Sequence, residues 1–523
     1  MSDPEIVLVS DRSLMSNFRG NYILGFLSCA PTSVIPDLVY DKLFAPPVEA
    51  NPDGTSQIMP MGLRRLESGL INDGYSPDDI AMAHPDHVDK VVGEGTEIVG
   101  VNAMDPLGKG PVTSSFTHGN KRTPMNAVKF RELHDKLQSL DSDHKTVQGG
   151  GGAWQIDSED MRDEFDIDVI VHGEAGYRAG EIFDEIKDGG KDTYNCDSPK
   201  DMSKIPEIRG PTINGLLESM RGCGRGCDFC GPDMRRDIYA DPERLKREAK
   251  LNAEAGFNAI WLHSEDILLY KRGKHFEPNR DAILKLYDTL LDVDGIKKVG
   301  STHMSLAAAA RAPDLIEDIA DINDLGPNNW TGVQPGIETA SPRLIEMHLA
   351  GKVVPYDVEE WPEVIKEGVR VLNSNYMYPA CTLIVGLPGE KREDVRRTID
   401  VIEDLDDAHA IFAPLMYMDY GTGDTLTASE LSDAQWELFY KCWQHNKDEF
   451  KGKSWKATKG WNIASRVISR GLAWAFSAAI TRKLDDIKAN RGSIKMDTLA
   501  DEEGGGGMDA GPETSGQEAE AAD

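Results

Sequence analysis

The sequence predicts an α/β protein: an N-terminal doubly wound, Rossmann-like parallel sheet, a central partial (β/α)6 barrel and a C-terminal helical extension. Three observations predict it. Strand-like and helix-like stretches alternate along both halves of the chain, and turns rich in glycine or acidic residues follow the strands. A polar, aperiodic connection separates the two runs, and 523 residues are more than a single core usually organises.

In the first half, strands are expected at Ile6–Ser10, Ile80–His84, Ile98–Ala103, Lys145–Gln148 and Val169–His172, with helices near Met61–Asp73 and Met125–Leu140. The strand ends carry the informative residues: Asp105-Pro-Leu-Gly-Lys-Gly-Pro111, then Gly149, Gly150, Gly151 and Gly152, then Gly173-Glu174. Glycines at the carboxyl ends of parallel strands let a ligand approach backbone amides, and open α/β sheets bind there. His84 and His87 also end a strand and could face that crevice, although a hydrogen-bonded loop role suits them better. The boundary falls in the connection that follows, where Pro199, glycines and charges show no periodicity.

From Thr212 the alternation resumes, with strands expected at Ile213–Met220, Ala259–His263, Lys298–Thr302, Gly332–Ile337, Ala380–Gly386 and Ala408–Leu415. Helices follow Asp241, Asn279, Pro313, Trp361 and Glu393, several opened by a capping residue or a first-turn proline. Six such strands make a parallel sheet curved into a partial barrel, whose site belongs at the carboxyl ends of the strands. After the first strand comes Cys223-Gly-Arg-Gly-Cys227-Asp-Phe-Cys230, three of only seven cysteines within eight residues. Glycines 222, 224 and 226 make a helix there costly, at roughly 1 kcal/mol each, and free the backbone to wrap a compact object. Three thiolates from one loop leave a metal position open, whereas a zinc site needs a fourth protein ligand, and neither Cys196 nor Cys381 has a partner at C-x2-C distance.

The C-x3-C-x2-C spacing, with an aromatic residue before the last cysteine, resembles the signature of radical S-adenosylmethionine (SAM) enzymes. That resemblance implies that Cys223, Cys227 and Cys230 hold three irons of a [4Fe-4S] cluster, that SAM chelates the fourth, and that Phe229 lies near the adenine. His263-Ser-Glu265-Asp266 stands loosely in place of the family's Gly-Gly-Glu, which makes Glu265 a candidate for the SAM amino group. Ser301, in Ser301-Thr-His303, is a candidate ribose contact. Gly336-Ile-Glu338-Thr339 offers Glu338, and Gly386-Leu-Pro388-Gly-Glu390 matches the family's turn beside the adenine. Residues 1–190 resemble the cobalamin-binding domain that precedes the SAM domain in one large subgroup, with Gly149, Gly150 and Gly151 as candidate contacts. The stretch Ser10-Asp-Arg-Ser-Leu-Met-Ser-Asn-Phe-Arg-Gly20 lacks the histidine of the base-off cobalamin motif. Cobalamin therefore remains a possible third cofactor beside the cluster and SAM.

The implied organisation is a cobalamin-binding-like domain at 1–190, a linker at 191–211, a radical SAM partial barrel at 212–425, a helical extension at 426–495 and a disordered acidic tail at 496–523. In the extension, Ile463, Val467, Trp474 and Ala478 share one face, which suits a helix packed over the barrel mouth better than one lying on a membrane. No apolar run reaches the roughly 18 residues of a membrane span, and few cysteines pair at disulfide-like spacings, so the chain is expected to be soluble and cytoplasmic. A net charge of −32 disfavours nucleic acid as a partner and, being distributed, suits a halophilic source; an ordinary acidic protein with an acidic tail is the alternative.

The resemblance implies an enzyme that cleaves SAM reductively to a deoxyadenosyl radical, with a reduced ferredoxin or flavodoxin-type electron donor. The domain order favours cobalamin-dependent methyl transfer to an unactivated carbon. A radical SAM enzyme of another reaction class without cobalamin, or a non-catalytic iron–sulfur electron-transfer protein, are the other readings. The scattered Cys29, Cys196, Cys381 and Cys442 speak against a second cluster. No catalytic residue and no substrate is legible.

Overall fold

The structure is a computed structural model that describes residues 4–457, apart from 21, 118–121, 420–425 and 427–429, together with scattered positions from 463 to 481. Ile6–Ser10 (β1) is buried at every position, as a strand covered on both faces must be. Successive side chains serve opposite cores. Ile6 and Leu8 pack with Leu63, Leu70 and Phe183, whereas Val7 and Val9 pack with Phe130, Leu133 and Ile156. Helices Met61–Asn72 and Ala179–Lys187 contribute to the first core, Met125–Gln138 and Ala153–Ser158 to the second.

Ile80–Met82 (β2), Ile98–Asn102 (β3), Lys145–Gly149 (β4), Val169–Gly173 (β5) and Thr193–Cys196 (β6) complete a parallel six-stranded sheet in the order β2-β1-β3-β4-β5-β6. The winding reverses between β1 and β3, which places a switch-point crevice beyond their carboxyl ends. β6 corrects the sequence reading, which placed a linker there. A four-residue edge strand with partners on one side needs little apolar sequence, and only Tyr194 and Cys196 are buried. His84 takes the structural role: it is 2% exposed, its Nδ1 accepts from Asp86 N, and its Nε2 lies 3.1 Å from Val48 O.

The second half forms an open barrel. Leu216–Glu218 (β7) is followed by the short strands Met220–Arg221 (β8) and Ile238–Tyr239 (β9), which pair antiparallel. Ala259–His263 (β10) pairs parallel with β7 and with Lys298–Ser301 (β11). Thr331–Val333 (β12) and Gly336–Glu338 (β13) both pair with Met377–Val385 (β14), which also pairs with Ile411–Met416 (β15). The single strand expected at 332–337 is thus two, because Pro335 between them has no N–H for the ladder. The strand expected at 213–220 opens instead with a tight turn at Ile213–Gly215.

The two barrel sheets join where Gln334 N donates to Thr302 O at 2.9 Å. Among the described strands β7 and β15 do not pair, so the barrel does not close. Both edges touch the N-terminal half: Asn214 N donates to Asn17 Oδ1 at 2.6 Å, and Met416 N to Ser115 Oγ at 2.8 Å. Helix Asp433–Ala457 packs Leu438 and Cys442 into the barrel core. Asn446 on it both accepts from Phe412 N and donates to Phe412 O, so it caps the free edge of β15 as another strand would.

Ile463, Val467 and Trp474 are exposed, which departs from the expected packing of that face over the barrel mouth. The acidic tail at 496–523 lies outside the described residues. Among those residues no helix is long and apolar enough to cross a membrane.

Candidate functional site

The cysteine loop leaves the barrel at its carboxyl-end face and is closed at its neck by the β8–β9 ladder. Gly222, Gly224 and Gly226 adopt φ of +71°, +74° and +74°, a region where a side chain costs energy, so the alternating glycines of the motif are what let the loop curl. Cys227 is 6% exposed, Cys223 and Cys230 are half-buried, and Phe229 packs against the barrel core. Cys223 N donates to Met234 O at 3.2 Å and Cys230 N to Cys227 O at 3.2 Å. The hydrogen bond from Cys230 pulls the Cys227 thiol down to about 7, while the same bond pushes Cys230 up; burial also raises Cys223.

No three metal-ligating side chains among the described residues stand at ligating distances. The donor set nevertheless fits an iron–sulfur cluster: three thiols on one glycine-hinged loop, one of them poised to ionise near neutrality, with two basic side chains beside them.

Those basic side chains are Arg225 and Lys352. Arg225 is buried, and its Nη1 donates to the carbonyls of Gly351, Lys352 and Val354 at 2.9, 2.8 and 3.0 Å. Its other terminal nitrogen lies 3.9 Å from Asp266 Oδ2. A Cβ on Gly351 would fall 1.8 Å from Arg225 O, so the segment 348–354 is pressed directly on the cysteine loop. Asp228 N donates to His348 O at 3.0 Å, and His348 Nε2 lies 2.9 Å from Pro388 O. Residues 348–354 therefore form an arm that ties the loop to the Gly386–Glu390 turn.

The same arm reaches Glu338. Lys352 Nζ lies 3.0 Å from Glu338 Oε1, and Thr382 Oγ1 donates to Oε2 at 3.4 Å. Glu338 ends β13 with φ +61°, and Trp361 Nε1 holds the next carbonyl, Thr339 O, at 2.8 Å. A Cβ on Gly336 would sit 1.9 Å from Glu338 Oε1 and 2.9 Å from Lys352 Nζ, which explains that glycine without a ligand. Burial works to lower the Lys352 pKa, but Glu338 and the thiols of Cys227 and Cys230 outweigh it, so the ammonium is held charged.

The other candidates divide. The Glu265 carboxyl is raised by burial, meets the Gly222 backbone next to Cys223, and leaves Oε2 without a partner. Gly386 has φ +90°, and its N–H donates to Glu390 Oε2 at 3.0 Å. Burial pushes the Glu390 carboxyl up to about 7, and Gln435 Nε2 donates to it at 2.6 Å. Ser301 spends its hydroxyl internally, donating to His303 O at 3.3 Å. Burial, with His263 adding, takes His303 down to about 4 and keeps it neutral.

In the N-terminal half, a Cβ on Gly150 would lie 2.5 Å from Ala103 O and one on Gly152 2.6 Å from Met104 O, so these two glycines serve close packing on the turn after β3. Gly149 and Gly151 meet only ordinary or side-chain contacts. Asp105 organises that turn by accepting from Gly110 N, Gln155 and Asn126. Asp11, where the family's Asp-x-His motif would begin, caps the following turn by accepting from Ser13 N at 2.9 Å.

The carboxyl end of β5 faces the cysteine loop. Arg221, two residues before Cys223, donates to Glu174 Oε2 at 2.6 Å and to Glu218 Oε1 at 2.8 Å. Sequence reasoning missed Lys352, His348 and the clamping role of Arg225. Arg225 was visible inside the motif, but the arm carries no motif of its own.

With this geometry in place, comparison with known proteins defines the class. Residues 217–402 match the model described as the radical SAM superfamily, so this part of the chain is a radical SAM domain. Curated relatives include the tRNA-2-methylthio-N(6)-dimethylallyladenosine synthases of Shewanella sediminis, 23% identical over 47% of this chain, and Shewanella woodyi, 22% identical over 54%. The chain spans about half the length of these relatives, 50% and 57%. Among solved structures, the radical SAM methyltransferase TsrM of Kitasatospora setae with tryptophan substrate and a SAM analog bound is 15% identical. It matches with a TM-score of 0.50 over 80% of this chain and 75% of that one, a likeness of fold. A second structure of that enzyme, with cobalamin and a [4Fe-4S] cluster bound, is 16% identical with a TM-score of 0.48 over 79% and 76% of the two chains.

Proposed function

We propose that the chain is a radical SAM enzyme whose Cys223, Cys227 and Cys230 ligate a [4Fe-4S] cluster, and that it carries out cobalamin-dependent methyl transfer to an unactivated carbon. When bound, the cluster delivers an electron to SAM and cobalamin carries the methyl group. The observation that carries the reading is the meeting of the two halves at their strand ends: Glu174, after β5, is bonded to Arg221, which leads into the cysteine loop. Cofactors held on the two halves would then border one cavity, as a group transfer between them requires. The arm 348–354 fixes the loop, while Glu338 and the Gly386–Glu390 turn stand on the same face for SAM.

The relatives' names favour a second reading, methylthio transfer to tRNA. That chemistry resembles the branch of the family with a second cluster, and here Cys29, Cys196, Cys381 and Cys442 are placed on separate elements, which supports the first reading. The distributed acid excess of the chain supports a high-salt setting, and the radical SAM reading calls for a ferredoxin or flavodoxin-type donor.

The test is anaerobic reconstitution with iron, sulfide and hydroxocobalamin. Wild type should hold about four irons per chain, as a [4Fe-4S] cluster requires. Cys442→Ala should match it and Cys227→Ala should lose the cluster. Full iron in Cys227→Ala would sink the ligand assignment. A cobalamin titration without binding would remove methyl transfer and leave the other reaction classes.

A further inference from the structure

Beyond the barrel, the described positions from 463 to 481 are helical, and one side of them is both apolar and open to water. Ile463, Val467 and Trp474 stand at spacings of four and seven residues, which puts them on one helical face, and they are 74%, 58% and 65% exposed. Arg470 is exposed beside them, and a Cβ on Gly471 would meet nothing within 4 Å. The exposure ends at Ser477, which is 5% exposed. A single exposed apolar side chain needs no explanation, but a face of large ones marks a surface that something else covers.

The charge around that face is the reverse of the chain's. Over the whole sequence 89 acidic residues outnumber 57 basic ones, yet residues 451–495 hold eleven lysines and arginines against two aspartates. A nucleic acid would answer that charge but not the exposed Ile463, Val467 and Trp474. A lipid surface with anionic headgroups answers both, because a basic, amphipathic helix lies in the plane where headgroups meet acyl chains.

We propose that this face docks the chain peripherally on an anionic lipid surface. Ile463, Val467 and Trp474 enter the headgroup boundary, and the basic residues of 451–495, Arg470 among them, draw the helix to the headgroups. Tryptophan suits that depth because its ring is apolar and its N–H is polar. In concentrated salt the charge attraction is screened within a few ångströms, and the apolar side chains carry more of the binding. The inference goes beyond the radical SAM reading and does not depend on it.

The test is co-sedimentation of the full chain with vesicles of phosphatidylcholine alone and of an equimolar mixture with phosphatidylglycerol, and a separate titration with bulk tRNA. Wild type should bind the mixed vesicles at least about tenfold more tightly than the neutral ones. Trp474→Ala should weaken binding to the mixed vesicles about tenfold, and Arg470→Glu by a similar factor. Leu38→Ser changes an apolar side chain 70% exposed in the N-terminal half and should bind as wild type does. All three side chains are exposed, so the variants should fold, as circular dichroism will check. Wild type that binds neither kind of vesicle overturns the proposal, and binding of tRNA in that case identifies nucleic acid as the occupant. Binding to the mixed vesicles that Trp474→Ala leaves unchanged, or that Leu38→Ser weakens equally, also overturns it. These measurements need no iron, so their failure leaves the radical SAM reading as it stands.

Discussion

At the residue scale the site is governed by where side chains are absent as much as by where they are present. Gly351 lets the arm lie on the backbone of Arg225, and a methyl group there would have to displace main chain. Gly351→Ala should therefore push the cysteine loop out of place and lower the iron bound on reconstitution, although no ligand is changed. Overpacking of this kind costs about 1–3 kcal/mol, so the chain should still fold. Gly326→Ala is the control, because a Cβ there meets nothing within 4 Å. Full iron in Gly351→Ala, with far-ultraviolet circular dichroism unchanged, would show that the arm does not hold the loop.

At the scale of elements, the end of β1 illustrates how a buried carboxyl is tolerated. Burial outweighs the hydrogen bonds from Ser13 and lifts Asp11 from the ordinary 3.8 to about 6. The folded state thus binds the proton more tightly than the unfolded state. Its contribution is fully present below about pH 4 and is lost as pH rises through about 6. At roughly 1.36 kcal/mol per unit, the ionised carboxylate costs about 3 kcal/mol at pH 8. Asp11→Asn keeps an oxygen for Ser13 N and should raise the urea midpoint more at pH 8 than at pH 5; an equal change at both would refute the account. The element order was legible where a strand buried on both faces, such as β1, reads as a nearly continuous apolar run. β6 was not, because an edge strand can be polar, and neither was the break at Pro335, which looks like one strand until the ladder is drawn. The cysteine loop was legible from local spacing alone. The Lys352–Glu338 pair was not, since its members lie on different elements and meet only in the folded barrel.

At the scale of the molecule, one buried carboxylate holds the connection between the two halves. Glu248 lies 2.7 Å from Arg65 and 3.3 Å from Arg244, with all three side chains at most 8% exposed. Arg65 comes from the N-terminal helix Met61–Asn72, whereas Glu248 and Arg244 lie on the first barrel helix, Pro242–Glu254. Both arginines also donate to Pro206 O, and Ile208 N donates to Glu248, so the connection between the halves is held by the same group. Glu248→Ala would leave two guanidinium groups buried without a counter-charge, a loss of about 3–5 kcal/mol. The loss should fall on the junction rather than on either core, because the two sheets keep their own apolar packing. Hydrogen exchange should speed first in 61–72 and 202–208, and the thermal transition should broaden or split into two. Glu207→Ala removes an exposed pair with Arg247, 58% and 42% exposed, and should cost no more than about 1 kcal/mol without changing the shape of the transition. If Glu248→Ala instead melts in one unchanged transition with uniform exchange, the halves are coupled through Glu174–Arg221 and Ser115–Met416 at the strand ends. In that case the contacts that align the two sites would also be the ones that hold the molecule together.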